Sequence, residues 1–241
     1  MAPVTLKSIN HKAEWEKFIF SRPEANFLHS WNWGEFHSHM GHTIHRLGFY
    51  RHNKLEGVLL GIVETAKRAT YLTIPGGPLI DWEDKDMIAT FVTSIKYLAL
   101  SHQCSFIRVR PQVEATKENT RLFAKLGFRP APMHLHAELT HQLDLSLTED
   151  QLLANMRKTT RYEIKRAQKL AIQVATSTNP SDIDYFYNLQ MQTAQRQDFV
   201  GFSQQYLSEQ FKVFTADNQA LLYTASLNRR ILAQALIIFY A

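Results

Sequence analysis

The spacing of hydrophobic residues changes along the chain, and each change predicts where helices give way to strands. Apolar residues recur every three or four positions in residues 12–20 and 26–40, which predicts two helices joined by a turn at Pro23. Alternation with a period of two then predicts a hairpin made of the strands Thr43–Tyr50 and Leu55–Thr65. The chain is therefore expected to open with two helices followed by a hairpin.

The pattern predicts further elements up to residue 145. Strands are predicted at Tyr71–Pro78, Ser105–Arg110 and His134–Leu145, and helices at Lys85–His102 and Glu118–Leu126. A mixture of helices and strands in this order predicts an α+β domain with a twisted, mixed sheet.

The second half repeats this order. Helices are predicted at Glu149–Leu170, Pro180–Gln197 and Ser203–Thr215, and strands at Ile172–Thr176, Ala220–Leu227 and Ile231–Tyr240. The segments LGFYRHNKLEGVLLGIVET and LYTASLNRRILAQALIIFYA share a strand, a polar turn and a longer apolar strand, which indicates an internal repeat. We therefore expect two tandem α+β domains, at residues 1–145 and 146–241.

The second copy stops directly after its hairpin, whereas the first continues well beyond its own. We therefore expect the second domain to be incomplete. The apolar strand Ile231–Tyr240 would then keep an open backbone edge, which favours self-association.

Composition and charge narrow the class of protein. Of the 241 residues 45% are hydrophobic, which suits a folded core. A single cysteine, Cys104, excludes an internal disulfide and suits a reducing compartment. The N-terminus shows no secretory signal, and no apolar run reaches the roughly 20 residues of a spanning helix. The net charge of +5 favours an anionic partner, such as nucleic acid, a phosphorylated metabolite or an acidic lipid.

Familiar catalytic motifs do not occur in the sequence. It contains no GxGxxG, GxxxxGK[ST] or GxSxG segment. The PGGP segment at Pro75–Pro78 is compatible with a backbone that approaches a ligand closely, and equally with a tight turn at a strand end.

The segment FLHSWNWGEFHSH concentrates aromatic and imidazole side chains, and metal binding, helix packing and a ligand-facing wall are the three interpretations. On a helix His37 and His39 point roughly 200° apart and cannot share a metal, so we expect no metal site. Trp33 and Phe36 lie three residues apart, which favours packing for most of the cluster.

The segment MRKTTRYEIKRAQK carries the densest positive charge. Its basic residues stand against one acid, Glu163, and include Arg157, Lys158, Arg161 and Lys165. The run is compatible with a solvated helix face and with a ridge that binds phosphates without reading sequence.

Several of these segments together resemble the Fem family, the FemA/FemB/FemX-type transferases that build peptidoglycan interpeptide bridges. The resemblance rests on FLHSWNWGEF, the strand with PGGPLID, IRVRPQ, the segment from LTHQLDLSLTEDQLL through MRKTTRYEIKRAQKLAIQV, and the last hairpin. It implies two tandem GNAT-like acyltransferase domains. It also implies transfer of an amino acid from aminoacyl-tRNA to an amine of a peptidoglycan precursor, without a cofactor.

The resemblance also suggests site residues. His37 stands where some members have a lysine that contacts the precursor's phosphates, and Phe202 stands near the position of a second, arginine contact. Tyr206 keeps the family's aromatic residue. We expect Trp33 and His37 to line a precursor cleft as partly exposed side chains, and the family's catalytic residues to lie beyond residue 241.

The partners implied are aminoacyl-tRNA and a lipid-linked or UDP-linked muropeptide, with no DNA. The expected location is the cytoplasm, with possible peripheral contact at the inner face of the membrane. An alternative is a non-catalytic basic module that binds RNA or an anionic membrane surface, or an inactive fragment of the transferase.

Overall fold

The protein is described here by a computed structural model that covers residues 2–133, 137 and 140–240. The chain forms two compact units. Unit 1 comprises residues 1–133 together with 239–241, and unit 2 comprises residues 134–238. The domain limits at residues 145 and 146 stay a prediction.

Unit 1 is built on a sheet of five strands with helices on both faces. Its strands are β1 (Thr5–Ser8), β2 (Thr43–Arg51), β3 (Lys54–Ala66), β4 (Ala69–Ile74) and β5 (Phe106–Val109), in the order β1-β2-β3-β4-β5. Its helices are α1 (Lys12–Ile19), α2 (Trp31–His39), α3 (Lys85–Ser101) and α4 (Lys117–Lys125). Strands β4 and β5 run parallel and the other neighbours antiparallel, which confirms the mixed sheet predicted for the first domain.

The hairpin of β2 and β3 turns through His52 and Asn53. Their φ angles of 49° and 62° are both positive, as a two-residue type I′ turn requires. The pairing then shifts register between Phe49 and Tyr50. Such a shift bends the strands locally and increases their twist.

The core of unit 1 lies between the sheet and α3. Helix α3 buries Met87, Ile88, Phe91 and Ile95 at helical spacing, and Asp84 caps its first turn by accepting hydrogen bonds from the Asp86 and Met87 amides. The strands contribute alternate residues to the same cluster, including Leu47, Phe49, Leu59, Val63, Leu72 and Ile74.

Unit 2 has a three-stranded sheet in the order β6-β7-β8, and all its described neighbours are antiparallel. Its strands are β6 (Gln173–Ser177), β7 (Ala220–Leu227) and β8 (Arg230–Ile238), and its helices are α5 (Glu149–Asn155), α6 (Lys158–Lys169), α7 (Ile183–Gln197) and α8 (Gln204–Ala216).

The single helix predicted at Glu149–Leu170 is wrong, because two helices occupy this range. Met156 has an extended backbone with ψ of 153°, and Arg157, with ψ of 149°, precedes the first turn of α6. The Arg161 guanidinium donates to the carbonyls of Ala154 and Met156, which are freed at the end of α5. This side-chain contact stabilises the break.

The second hairpin copies the first. Asn228 and Arg229 turn with φ angles of 49° and 65°, and the register shifts between Ala225 and Ser226. The turn and the shift fall at the same positions relative to each other as in β2 and β3. The repeat predicted from sequence is therefore present in backbone detail.

One predicted strand falls partly outside the described residues. Of the range His134–Leu145, residues 134–136 and 138–139 lie outside the described residues, and residues 140–145 form no strand.

Candidate functional site

Two capping interactions separate the FLHSWNWGEF segment into a short turn and a helix. The Asn26 side chain accepts from the Leu28 amide, and the Asn26 amide donates to His29 Nδ1, which closes a 3-10 turn at Phe27–His29. Ser30 Oγ then accepts from the Trp33 amide at 3.0 Å and starts α2. The predicted helix over residues 26–40 is thus shorter than expected, because Ser30 is extended.

The expectation that Trp33 and His37 are partly exposed is wrong. Trp33 is 2% exposed and His37 is 7% exposed. Phe27 packs edge-on against Trp33 at 5.5 Å, and Trp33 against His37 at 4.9 Å between ring centroids. Aromatic packing of this kind seals both side chains, so any role in substrate binding would be indirect.

His37 nevertheless reaches a more accessible ring. Its Nδ1 lies 3.0 Å from Nδ1 of His42, which is half-buried just before β2. The buried imidazole can therefore fix the orientation of His42.

Gly34 makes room for an arginine. A Cβ on this residue would lie 2.9 Å from Cζ of Arg46, and would meet the Nη2 atom even more closely. Arg46 stacks on Trp31 with Cζ 3.7 Å from the ring centroid, and Nη2 donates at 2.8 Å to the Trp31 carbonyl and to Glu35. The WNWG segment is thus shaped around one half-buried guanidinium.

His29 connects this segment to the PGGP loop. Gly76 has a φ of +70°, and a Cβ there would lie 2.9 Å from Cε1 and 3.0 Å from Nε2 of His29. Nδ1 of His29 lies 3.0 Å from the Asn26 amide and 3.2 Å from the Asn26 carbonyl, and Nε2 faces the Gly76 backbone. Burial lowers the pKa of His29. The close approach that Gly76 allows is therefore between the PGGP backbone and the His29 ring.

The end of β5 completes this corner. The Arg110 amide donates to the Ile74 carbonyl at 3.1 Å, so the parallel pair β4 and β5 continues past Val109. Gln112 Oε1 accepts from Arg110 Nη1 at 3.2 Å and from Asn26 Nδ2 at 3.3 Å. The three segments 27–36, 71–81 and 107–112 thus meet at the carboxyl ends of parallel strands, where α/β sheets commonly bind ligands.

Strand register extends this corner into a face, which we call the α2-side face. Tyr71 pairs with Glu64 on one side and Phe106 on the other, and the Tyr71 and Phe106 rings stack at 4.9 Å. Side chains two residues apart on a strand share a face, so Arg108 and Arg110 follow Phe106. The α2-side face consists of Glu64, Tyr71, Phe106, Arg108 and Arg110, with His42 beside it.

This face combines aromatic surface with fixed positive charge. Phe106 is 43% exposed, and Arg108 and Arg110 are half-buried. Burial lowers the pKa of Arg110, although a guanidinium stays charged throughout the physiological range. Partly desolvated arginines bind phosphate more strongly than fully solvated ones, because the local dielectric is lower.

The basic residues of α6 form a separate feature in unit 2. Arg157, Lys158 and Lys165 are exposed, whereas Arg161 is half-buried against the end of α5. We call these four residues the α6 ridge. Since the Arg161 guanidinium is already bonded to backbone carbonyls, the ridge has three exposed cations and one cation that stabilises the chain.

Tyr206 lies at the start of α8, where Ser203 caps the helix. Its ring stacks on Phe202 with centroids 4.6 Å apart, and Phe202 is 55% exposed. Phe202 borders an open cleft of about 590 Å³ between α7, α8 and β8, which is also lined by Phe186, Gln190, Leu207 and Leu236. Tyr206 is half-buried behind Phe202.

Two further findings concern metals and membranes. Within the described part of the chain, no three histidine, cysteine, aspartate or glutamate side chains are grouped as metal ligands. No helix among those residues is long and apolar enough to cross a bilayer.

Comparison with known proteins identifies the class. The model of the FemAB family matches residues 11–125 and 131–237, and the chain belongs to this family. The Lipid II:glycine glycyltransferase of Staphylococcus aureus strain MRSA252 is 21% identical over 226 residues, which cover 89% of this chain and 53% of the relative. The enzyme of the same name from S. aureus strain NCTC 8325 / PS 47 gives the same identity and coverage.

A solved structure shows the same fold. The crystal structure of FemX superposes with a TM-score of 0.75 and 20% identity, over 92% of this chain and 58% of that one. The α+β fold class predicted from sequence is confirmed. The chain spans about half the length of the curated relatives it matches.

The α2-side face was not predicted from the sequence. Glu64, Arg108 and Arg110 are ordinary strand residues in the sequence, and only pairing across β3, β4 and β5 brings them together. The available signal was the set of three motif segments, since they meet at the corner beside this face.

Proposed function

We propose that the protein is part of an aminoacyltransferase that moves an amino acid from aminoacyl-tRNA to an amine of a peptidoglycan precursor. Membership of the FemAB family supports this, as do relatives that act on lipid II. The observation that carries the proposal is the α2-side face, where two half-buried arginines lie beside exposed aromatic surface, next to the corner at which the three motif segments meet.

On this proposal the α2-side face binds the precursor through its phosphates. Arg108 and Arg110 supply the charge, and Phe106 and Tyr71 supply a flat apolar surface for sugar or peptide. His37 is proposed to occupy the position where other members carry a phosphate-binding lysine, and His42, whose Nδ1 lies 3.0 Å from that of His37, is proposed to face the ligand in its place. Trp33 and His37 then support the site from within the core.

The chemistry asks little of the protein beyond positioning. An aminoacyl ester is already activated, so no covalent nucleophile is needed. Holding a neutral amine next to the ester carbonyl provides a large part of the rate gain, and a cation near the developing oxyanion adds to it. The residues that act on the ester are proposed to lie outside the 241 residues.

The α6 ridge is proposed to contact the phosphates of tRNA or of a pyrophosphate-linked lipid precursor. Arg157, Lys158 and Lys165 are exposed and can approach a polyanion without rearrangement. Tyr206, stacked on Phe202, is proposed as a further precursor contact in unit 2. A cytoplasmic location with peripheral contact at the inner face of the membrane is also proposed, and the relatives named for lipid II support it.

The test is binding of a soluble muramyl pentapeptide diphosphate and of aminoacyl-tRNA, measured by calorimetry at several salt concentrations. Replacing both Arg108 and Arg110 by alanine should weaken muropeptide binding by at least tenfold, because charge-assisted bonds to phosphate are lost. Lys96→Ala, an exposed lysine on α3, is the matched control.

Reversing charge at Lys158 and Lys165 should weaken tRNA binding and reduce its salt dependence, since fewer counterions are released. Lys212→Glu on α8 controls for net charge in the same unit. Loss of tRNA binding with intact muropeptide binding separates the two surfaces. Tight tRNA binding without any muropeptide binding would instead favour a basic RNA-binding module.

A further inference from the structure

A carboxylate stands on the otherwise basic α2-side face. Glu64 lies near the end of β3 and is paired with Tyr71 of β4, so its side chain shares a face with Phe106 and Arg108. Of the five residues that make up this face, Glu64 is the acidic one. The charge of Arg108 and a hydrogen bond from Tyr71 favour the ionised form of this carboxyl.

Tyr71 holds this carboxylate in one orientation. Its hydroxyl donates to Glu64 Oε2 at 3.1 Å, and its ring is fixed by the parallel stack on Phe106, with an interplanar angle of 7°. Burial and the adjacent Glu64 raise the pKa of Tyr71 to about 12, so the hydroxyl stays a donor. Within the described part of the chain, the other oxygen, Oε1, receives no hydrogen bond.

The surroundings of Glu64 indicate what kind of ligand suits it. Burial raises the pKa of the Glu64 carboxyl, whereas His42, the Tyr71 hydroxyl and Arg108 act in the opposite direction. A carboxylate accepts N–H donors. The fitting ligand is therefore an N–H donor such as a primary amine, and the charge of Arg108 counteracts the tendency of the carboxylate to hold that amine as an ammonium ion.

We propose that Glu64, oriented by Tyr71, is the subsite for the acceptor amine of the precursor whose phosphates Arg108 and Arg110 bind. This inference rests on the proposed function and adds to it the place of the amine. The carboxylate Oε1 accepts an N–H of the amine and directs its lone pair away from β3. A free primary amine should therefore bind better than the same ligand with its amine blocked.

The test uses four ligands and the 241-residue protein. A lysine-containing muramyl pentapeptide is prepared with and without its diphosphate, and each form with a free or an acetylated side-chain amine. Calorimetry gives four dissociation constants, from which the separate contributions of the phosphates and of the amine follow. The amine contribution is expected to be about tenfold.

Variants assign the two contributions to residues. Glu64→Gln keeps the shape and should remove the preference for the free amine while leaving the diphosphate contribution unchanged. Tyr71→Phe keeps the stack on Phe106 and should reduce that preference in part. Glu83→Gln, an exposed glutamate before α3, should change neither. Replacing Arg108 and Arg110 by alanine should remove the diphosphate contribution and leave the preference for the free amine unchanged.

Each outcome decides a different claim. Equal binding of free and acetylated amines by the unmodified protein would overturn the amine subsite and leave the phosphate site standing. An amine preference that survives Glu64→Gln would also overturn it. Absence of any diphosphate contribution would refute the proposed function itself. Carbon-13 NMR of the Glu64 carboxyl in the unmodified protein should show a shift with the free amine only, and requires no variant to fold.

Discussion

The two hairpins of the chain share one backbone plan but differ in the side chains on one face. Both turn through two residues with positive φ, and both shift register at the same distance from the turn. In the first hairpin Phe49 and Leu59 are fully buried against α3. Ala225 and Ala235 occupy the corresponding positions in the second.

This difference separates the features of a hairpin that nearby residues determine from those that distant residues determine. Turn chemistry and register are the same although the side chains differ, so they depend on residues close in sequence. The size of the side chain on one face instead follows what covers that face, which is α3 in unit 1. Ala220 and Leu222 of β7 are fully buried on the other face of their sheet, on the side of α7 and α8.

Truncating the buried face should give the largest effect. Leu59→Ala is expected to lower the free energy of unfolding of unit 1 by roughly 2–5 kcal/mol, from lost apolar contact and the cavity left behind. The matched change in the second hairpin, Ala235→Leu, should stay within about 0.5 kcal/mol because the position is exposed. Urea unfolding followed by hydrogen exchange in each hairpin measures both, and similar costs would remove the distinction.

The next effect concerns strand edges. Strand β3 is paired on both sides, whereas β8 has one described partner, β7. Ile237 on β8 is 41% exposed. Ile237→Lys should weaken self-association of the protein by about tenfold, because a charged edge strand disfavours pairing between copies. Thr65→Lys on β3 is the control in analytical ultracentrifugation, and an equal effect there would implicate charge alone.

Lowering the pH should reduce the stability of unit 1 more than that of unit 2. Burial lowers the pKa of His45, helped by His102, whose Nε2 lies 2.8 Å from Nε2 of His45. Burial also lowers the pKa of His29. Since both are lowered from 6.5, the unfolded chain binds protons first. The stability that the two neutral histidines give to unit 1 is therefore fully present above about pH 6.5. It is lost as the pH falls towards their folded-state pKa values.

Unit-specific hydrogen exchange between about pH 7.5 and 5.5 tests this, because within the described residues unit 2 has no buried histidine. His45→Gln should flatten the pH dependence of unit 1. A steeper loss in unit 2 would show that other groups dominate.

The smallest expected effect lies in the turns. Arg229 has a φ of 65°, a conformation that costs a non-glycine residue roughly 1–2 kcal/mol, whereas asparagine tolerates it better. Arg229→Gly should therefore stabilise the second hairpin by up to about 1 kcal/mol. Asn53→Gly in the first hairpin should gain only a few tenths. Thermal unfolding of both variants would show whether the two turns are equally strained.

Much of the fold could be predicted because its elements are set by short-range patterns. Helix α3 was predicted from its apolar spacing, and both hairpins from their polar turns. The break at Met156 was missed, because apolar spacing continues across it and the deciding contact is made by the Arg161 side chain. Periodicity carries no information about such a contact.

The site was predictable only in part, since it depends on pairing between distant strands. Trp33 and His37 were expected to be accessible, but ring packing around Phe27 and Phe36 buries them. Glu64 and Arg108 come together through the pairing of β3, β4 and β5. A one-residue slip in either pair would place them on opposite faces, so no local pattern announces them.

The space at Gly34 ties two positions of the sequence to each other. Any side chain at position 34 would overlap the Arg46 guanidinium that stacks on Trp31 and bonds Glu35. Across an alignment of relatives, the two positions should therefore co-vary: an arginine at 46 in this stacked conformation favours glycine at 34, and larger residues at 34 should occur more often with a shorter residue at 46. The residue at position 34 of α2 would then indicate which residue β2 carries at position 46, and an alignment of relatives can test this.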